Sequence, residues 1–377
     1  MKKALSIFAM IVLLISLASC GGSTPSSSSQ TSVSSTDPLF DQVEAKAQFE
    51  QAVEACADVI DGFVIDMKKS AYPMPTPEEY AQMSQAIGTL GFPVDFYDLD
   101  MPNYEKVEAF WNEVQAGKDT QIIIYGLYNW GITADILIHR DGKDFRTMAA
   151  YDFLQGTADI KSKIEFEEPV YRLDRIYMTE KGYLLYHIPE QDGFSEMYRG
   201  YRISPLGEEI RVLGSRYIEG IGYIANGMLK YTWNKDDFSQ LNMNWVFESL
   251  YYKFNGEFPE ALYKELDENG HVLIPADVME GIMLNSLPLT KEQLRSFIPF
   301  NEVNHTYAYE AFAGGGYSPI PEVVNIIKNA DGSLSLTIDA VAVEFGEDKS
   351  MSSVLTVMDN TDGSIRYLSN TVITPLA

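Results

Sequence analysis

The sequence predicts an α+β fold with N-terminal helices, a long and mainly antiparallel β meander, and C-terminal helices plus β-hairpins. Between residues 39 and 118, apolar residues recur every three or four positions, as on a helix that is buried along one face. From residue 121 the pattern changes to short runs of β-branched and aromatic residues that are separated by turn sequences. Such runs without helices between them predict antiparallel pairing.

Three helices are expected to open the globular part. The first covers residues 38–66 and carries a continuous apolar stripe. The second follows Thr76, because a proline stands at the first helical position and Glu79 completes a capping box. The third follows Asn103 and ends at Gly117, a residue type that is common just beyond a helix C-terminus.

Eight strands are predicted next, with turn signals such as Asp141-Gly142 between several of them. They cover residues 121–128, 133–140, 144–151, 172–178, 183–188, 198–204, 211–217 and 228–233.

Helices return near the C-terminus, and the chain closes with hairpins. A helix is expected over residues 236–254, another over 275–284, and a third after the Thr290/Gln293 capping box. The final strands are expected at residues 321–329, 333–345, 353–358 and 365–373, with Asp-Gly turns at 331–332 and 362–363.

These patterns divide the chain into five regions, the last three of which could form one compact unit. They are a signal peptide (1–19), a flexible Ser-rich tether (20–38), a helical region (39–118), a β-rich region ending in a helix (119–254) and an α+β region (255–377).

The first forty residues predict export and lipid anchoring. Lys2 and Lys3 precede an apolar stretch, residues 5–17, which is too short to span a hydrocarbon core of about 30 Å. It ends in the sequence LASC at Cys20, which resembles the lipobox of bacterial lipoproteins. That resemblance implies cleavage before Cys20 and acylation there, with palmitate or similar chains, at the outer face of the cell membrane. The alternative is an ordinary signal with an incidental cysteine, but the following Ser/Thr/Gly-rich segment is typical of a tether.

The charge of the chain excludes several classes of partner. It has 28 basic and 54 acidic residues and a formal net charge of −26, which becomes −28 when Lys2 and Lys3 leave with the signal peptide. A protein this acidic repels nucleic acid and anionic envelope polymers. The membrane, through the lipid, and an envelope protein or a glycan remain as expected partners.

The two cysteines predict neither a disulfide framework nor a reactive thiol. Cys20 is expected to carry lipid, which leaves Cys56 unpaired. Because Cys56 lies on the apolar face of the first predicted helix, we expect a buried and inert thiol.

Several segments resemble those of a known family. They read NYEKVEAF (103–110), RYIEGIGY (216–223), WNKDDFSQLNMNWVFESLYY (233–252), IPADV (274–278), SVLTV (353–357) and YLSN (367–370). In these segments the chain resembles a family of uncharacterised lipoproteins from gut Clostridia that carry a domain of unknown function. The resemblance covers most of residues 70–377 and implies lipid anchoring and a shared fold, but it assigns no catalytic residue.

Recognisable catalytic and metal motifs are absent from the sequence. His139, His187, His271 and His305 are widely separated, so neither a zinc site nor any other cofactor is expected. No GxSxG or SxxK sequence occurs. The glycine run at 314–316 is interpreted as a loop and the segment 359–363 as an Asx-rich turn.

The aromatic residues give the one candidate site. Trp130, Tyr125 and Tyr128 lie on or beside one predicted strand and could stack on sugar rings, although packing in the core is the favoured interpretation of the aromatic residues. Adjacent acids (167–168, 208–209 and 236–237) could supply glycosidase carboxylates, but that chemistry depends on a spatial separation.

Three functions therefore compete. The favoured hypothesis is a lipid-anchored, non-enzymatic binding or envelope-associated module. The alternative is a glycan-directed envelope hydrolase, which requires a concave pocket that holds a carboxyl of raised pKa. A solute-binding receptor of an importer is disfavoured, because such receptors alternate strand and helix in doubly wound lobes.

Overall fold

The computed structural model describes residues 39–67, 75–96, 100–166, 170–191, 194–218, 220–312 and 318–374. The predicted signal peptide, Cys20, the predicted tether, the acidic pair 167–168 and the glycine run 314–316 lie outside these residues. Residues 39–377 form one compact unit by their contacts. The α+β class is confirmed, with mainly antiparallel sheets and several hairpins.

The N-terminal helices follow the prediction except at Cys56. The structure has two helices, α1 and α2, where one was predicted, because Cys56 leaves helical geometry at φ −100° and ψ 4° and its N–H donates to Val53. The Thr76/Glu79 capping box is present. The helices are α1 (Gln42–Ala55), α2 (Ala57–Met67), α3 (Pro77–Thr89) and, after the short strand β1 (Val94–Asp95), α4 (Tyr104–Gln115).

The first sheet has six strands. Its remaining members are β2 (Thr120–Leu127), β3 (Gly131–Arg140), β4 (Lys143–Asp152), β5 (Glu165–Phe166) and β6 (Tyr171–Leu173), with the short helix α5 (Ile160–Lys163) before β5. All pairs are antiparallel except β1 with β2. Helices α1 to α3 cover one face, and the opposite face shares a core with α4 and the next sheet.

That next sheet, the middle sheet, consists of β7 (Arg175–Met178), β8 (Tyr183–Ile188) and β9 (Met197–Arg202), with β8 at its centre. Every residue of β8 is buried. Leu184 and Tyr186 pack with the first sheet. Tyr183 and Leu185 pack against Val341, which belongs to the four-stranded sheet at the end of the chain, called the C-terminal sheet below. The middle sheet is therefore enclosed on both faces.

Two strand predictions were wrong. Residues 211–217 belong to a helix, α6 (Glu208–Ile218), whose Ile210, Leu213 and Tyr217 pack at helical spacing against the C-terminal core. Residues 228–233 form a turn in which the Trp233 indole donates to the carbonyl of residue 228 at 2.8 Å. In both segments the strand prediction relied on the content of β-branched and aromatic residues and not on the spacing of the apolar residues.

The C-terminal part contains four helices and two sheets around the largest core cluster. The helix predicted over 236–254 begins later, because Asn242 is its N-cap. The Thr290/Gln293 capping box and both Asp-Gly hairpin turns are present. The helices are α7 (Met243–Asn255), α8 (Pro259–Leu262), α9 (Ala276–Ser286) and α10 (Lys291–Phe297). The strands are β10 (Val272–Pro275), β11 (Phe300–Asn301) and β12 (Thr306–Tyr309) in one sheet, and β13 (Ile320–Lys328), β14 (Leu334–Ala342), β15 (Glu347–Asp359) and β16 (Ile365–Thr374) in the other.

A buried carboxylate joins the first sheet to the middle sheet. Asp135 of β3 is 2% exposed and accepts a hydrogen bond from the Arg146 Nε–H at 2.7 Å. The hydroxyl groups of Tyr186 and Tyr201 donate to its other oxygen. One acid thus provides the acceptor for two buried tyrosines and the counter-charge for a buried arginine.

A second buried carboxylate joins the middle sheet to the C-terminal sheet. Glu322 of β13 accepts from the Tyr183 hydroxyl at 2.6 Å and from Arg202 at 2.5 Å. Lys181, in the turn before β8, lies 2.8 Å from the same carboxylate and 3.2 Å from Asp339 of β14.

Replacing Asp135 should therefore strongly destabilise the folded protein. Asp135→Ala removes the acceptor of two buried tyrosine hydroxyls and of the buried Arg146 Nε–H, and should lower the free energy of unfolding by about 3–5 kcal/mol. Glu302→Ala, which removes an exposed partner of Arg295, should cost about 1 kcal/mol or less. Urea unfolding curves measure both, and equal effects would contradict the assigned role of Asp135.

Candidate functional site

The structure separates the three predicted stacking residues. Tyr125 is fully buried, and its ring packs 5.7 Å from that of Phe49 and 5.1 Å from that of Phe92. It faces the helix-covered side of the first sheet, so its assignment as a sugar-stacking residue was wrong. Tyr128 and Trp130 lie beyond the end of β2, and each is 44% exposed.

Tyr128 and Trp130 form an aromatic platform at the turn between β2 and β3. Their rings are nearly parallel, with an interplanar angle of 16° and a centroid separation of 5.7 Å. The turn is fixed by hydrogen bonds from Tyr128 N–H to the Gly131 carbonyl at 2.9 Å and from Phe153 N–H to the Trp130 carbonyl at 3.0 Å. Gly131 is required there, since a Cβ would lie 2.1 Å from the Tyr151 carbonyl oxygen.

Polar groups surround the Tyr128 hydroxyl. Burial raises its pKa, and the charges of Asp95 and Asp135 raise it further. Arg199 and a hydrogen bond with Thr133 act in the opposite direction. The Tyr128 ring is thus partly open to solvent while its hydroxyl is turned toward charged and polar neighbours.

Asp95 is the most perturbed acid near the platform. Burial of its carboxyl group raises the pKa to about 7, although the residue as a whole keeps some exposed surface. It ends β1, whose parallel pairing places Asp95 opposite Gly126 on β2, two residues before Tyr128. At neutral pH this carboxyl can therefore donate or accept a hydrogen bond.

Asp135 has a different role from Asp95. Both of its oxygens already accept hydrogen bonds, and its side chain is 3% exposed. Of the two acids that act on Tyr128, Asp95 makes no ion pair among the described residues, whereas Asp135 is paired with Arg146. The arrangement can hold a ring with apolar faces and hydroxyl edges, because the platform supplies aromatic surface and its surroundings supply hydrogen-bonding groups.

Sequence reasoning did not single out Asp95 and Arg199. Each is one charged residue in a segment with other charged or aromatic residues, and only strand pairing brings them to Tyr128. A usable signal was the position of Asp95 directly after an apolar Phe-Pro-Val sequence, which is typical of a polar residue at a strand end.

The remaining candidates are a cysteine, three histidines and two acidic pairs, and each has a place in the packing, pairing or turns of the fold. Cys56 is buried, and burial raises its pKa to about 12, which confirms the expected inert thiol. His139, His187 and His271 each contact one aspartate, at 2.6, 2.7 and 3.0 Å. Glu208 and Glu209 lie in the first turn of α6, and residues 236–237 precede α7 in a turn.

Among the described residues, no three potential metal ligands of the His, Cys, Asp and Glu types come together. None of the helices in the described ranges has the length and apolar character that a membrane span requires.

Replacing Asp95 should stabilise the protein, and more so at alkaline pH. The raised pKa means that unfolding releases a proton between about pH 4 and pH 7, so the wild type loses stability as pH rises through this window. The free-energy gain of Asp95→Asn should be larger at pH 8.5 than at pH 5.5 by on the order of 2 kcal/mol. Denaturant unfolding at both pH values measures this, with the exposed Asp58→Asn as control. An equal gain at both pH values would contradict the buried state of Asp95.

Comparison with known proteins gives a family without an assigned activity. Neither the curated proteins nor the solved structures contain a match. A family model described as a family of unknown function (DUF6070) matches residues 42–376, which is nearly the whole described unit. The chain therefore belongs to this family of unknown function, DUF6070.

Proposed function

We propose that this protein is a lipid-anchored extracytoplasmic module that binds a glycan at the aromatic platform and does not cleave it. The anchoring part is supported by the LASC sequence at Cys20 and the Ser-rich segment after it. It also agrees with the lipoprotein resemblance of the sequence segments given above.

The observation that carries the binding part is the geometry of Tyr128 and Trp130. Two nearly parallel aromatic rings, each almost half exposed, are held at a hairpin turn by two backbone hydrogen bonds. Aromatic residues with one polar tip are favoured where a surface must be partly apolar and partly wet. A pyranose ring offers a matching apolar face, and the charges of Asp95 and Arg199, which act on the Tyr128 hydroxyl, give the platform a polar side for its hydroxyls.

The charge of the protein favours a neutral glycan. At a formal net charge of −26 the chain repels polyanions, so uronic-acid or phosphate-rich polymers are disfavoured. A neutral oligosaccharide is not repelled by the charge of the protein, so its affinity depends only on local contacts.

The hydrolase alternative keeps two supporting observations, which are the raised pKa of Asp95 and a concave pocket that this residue lines. A general acid needs such a pKa, but glycoside cleavage also needs a second carboxylate, at about 5–9.5 Å. Asp135 cannot take that part, because Arg146, Tyr186 and Tyr201 occupy its oxygens. Binding without turnover is therefore the better-supported function.

Trp130→Ala should weaken glycan binding. A panel of neutral oligosaccharides (β-glucan, mannan and chito-oligosaccharides) is titrated into the protein lacking residues 1–38, and binding is measured by calorimetry. For the sugar that binds, loss of the stacked ring should weaken the affinity at least about tenfold, or about 1.4 kcal/mol. Tyr252→Ala is the matched control, since Tyr252 is 42% exposed and stacks on Phe258 in the same way. Loss of binding in the control alone would contradict the assignment, and release of reducing ends would favour the hydrolase.

Cys20→Ser should release the protein from the membrane. The serine cannot accept a thioether-linked lipid, so the variant should lose incorporation of labelled palmitate and leave the membrane fraction. Serine substitution of Cys56 is the control, because that thiol is buried in the core. Unchanged labelling of the Cys20 variant would contradict lipid anchoring.

A further inference from the structure

A cavity of about 380 Å³ lies between the middle sheet, α6 and β13. This volume falls in the usual range for small-molecule sites, about 300–1,000 Å³. Most of its wall is apolar and comes from α6 and the strands that face it, with Ile210, Ile218 and Val323 among the lining residues.

The charged residues in the wall are paired with each other or with neighbours. Glu322 contacts Arg202 at 2.5 Å and Lys181 at 2.8 Å. Arg211 contacts Asp100 at 3.1 Å. A charged ligand would have to give up its hydration and compete with these pairs for a counter-charge, which is costly in a partly enclosed site.

Asp95 also lines this cavity. Unlike Glu322 and Arg211, it makes no ion pair among the described residues, and its buried carboxyl is uncharged below about pH 7. It can therefore offer one hydrogen bond to a ligand without introducing a charge.

We propose that this cavity is a second ligand site, for an uncharged small molecule with an apolar body and one hydrogen-bonding group. The apolar wall accommodates the body, and the ion pairs of Glu322, Arg202 and Arg211 disfavour an ionic group, which would have to compete with them. Tyr128 and Trp130 do not line this cavity, and Asp95 is the one residue named for both sites.

Two substitutions can close the cavity without disturbing the platform. A Cβ added at Gly214 of α6 would meet only Val323, at 3.9 Å, so Gly214→Leu can extend into the space. Ile320→Trp narrows the cavity from β13 at a residue that is 43% exposed. Gly281→Leu is the matched control, because Gly281 is an exposed helical glycine of α9 with open space around it.

The test uses N-phenyl-1-naphthylamine, an uncharged fluorescent probe with an apolar body and one N–H group. We expect saturable binding to the wild type and to Gly281→Leu, and a loss of affinity of about tenfold or more in both Gly214→Leu and Ile320→Trp. The sulfonated analogue 1-anilinonaphthalene-8-sulfonate should bind about tenfold more weakly than the uncharged probe.

Three results would overturn the proposal. They are full probe affinity in both cavity variants, equal affinity for the sulfonated analogue, and loss of probe binding in Trp130→Ala, which would place the probe on the platform. Thermal unfolding of each variant shows whether it is folded. Because the two cavity variants alter different elements, the probe affinity of one still tests the proposal if the other does not fold.

Discussion

The middle sheet depends on buried carboxylates that its two neighbouring sheets supply. All six residues of β8 are buried, so the hydroxyl groups of Tyr183 and Tyr186 cannot reach water and must find acceptors within the protein. Glu322 from one side and Asp135 from the other provide them. Because a hydrogen bond fixes a separation to within a few tenths of an ångström, these contacts set the spacing of all three sheets.

This enclosure also determines where the two proposed sites lie. Side chains alternate along β9, so Arg199 and Tyr201 face the first sheet, where they act on Tyr128 and Asp135. Gly200 and Arg202 face the opposite way and line the cavity. Gly200 has no room for a side chain, since a Cβ would lie 2.6 Å from a backbone oxygen of β8. One face of β9 therefore lies toward the surroundings of the platform, and its other face lines the cavity.

Locally encoded features were the ones that the sequence could predict. Capping boxes, Asp-Gly turns and the runs of β-branched and aromatic residues in the first sheet are local features, and the structure confirms them. Helix α6 was missed because Val212 and Tyr217 favour strands intrinsically, whereas packing against the C-terminal core selects the helix.

The candidate site was predictable only in part, for a different reason. Whether an aromatic ring on a strand is buried depends on which face a helix covers, and this separates Tyr125 from Tyr128. The approach of Asp95 to Tyr128 depends on the parallel pairing of β1 with β2, which links segments about thirty residues apart. Pairing partners of this kind leave no local signature in a single sequence.

The most direct test of the central claim is an NMR titration of the four tryptophan indole N–H signals with a neutral oligosaccharide. Binding at the platform predicts a saturable shift of the Trp130 signal, while the signal of Trp233, which is buried and hydrogen-bonded, stays in place. A Trp130 signal that does not move with any neutral glycan, or a saturable shift at Trp245 instead, would contradict it.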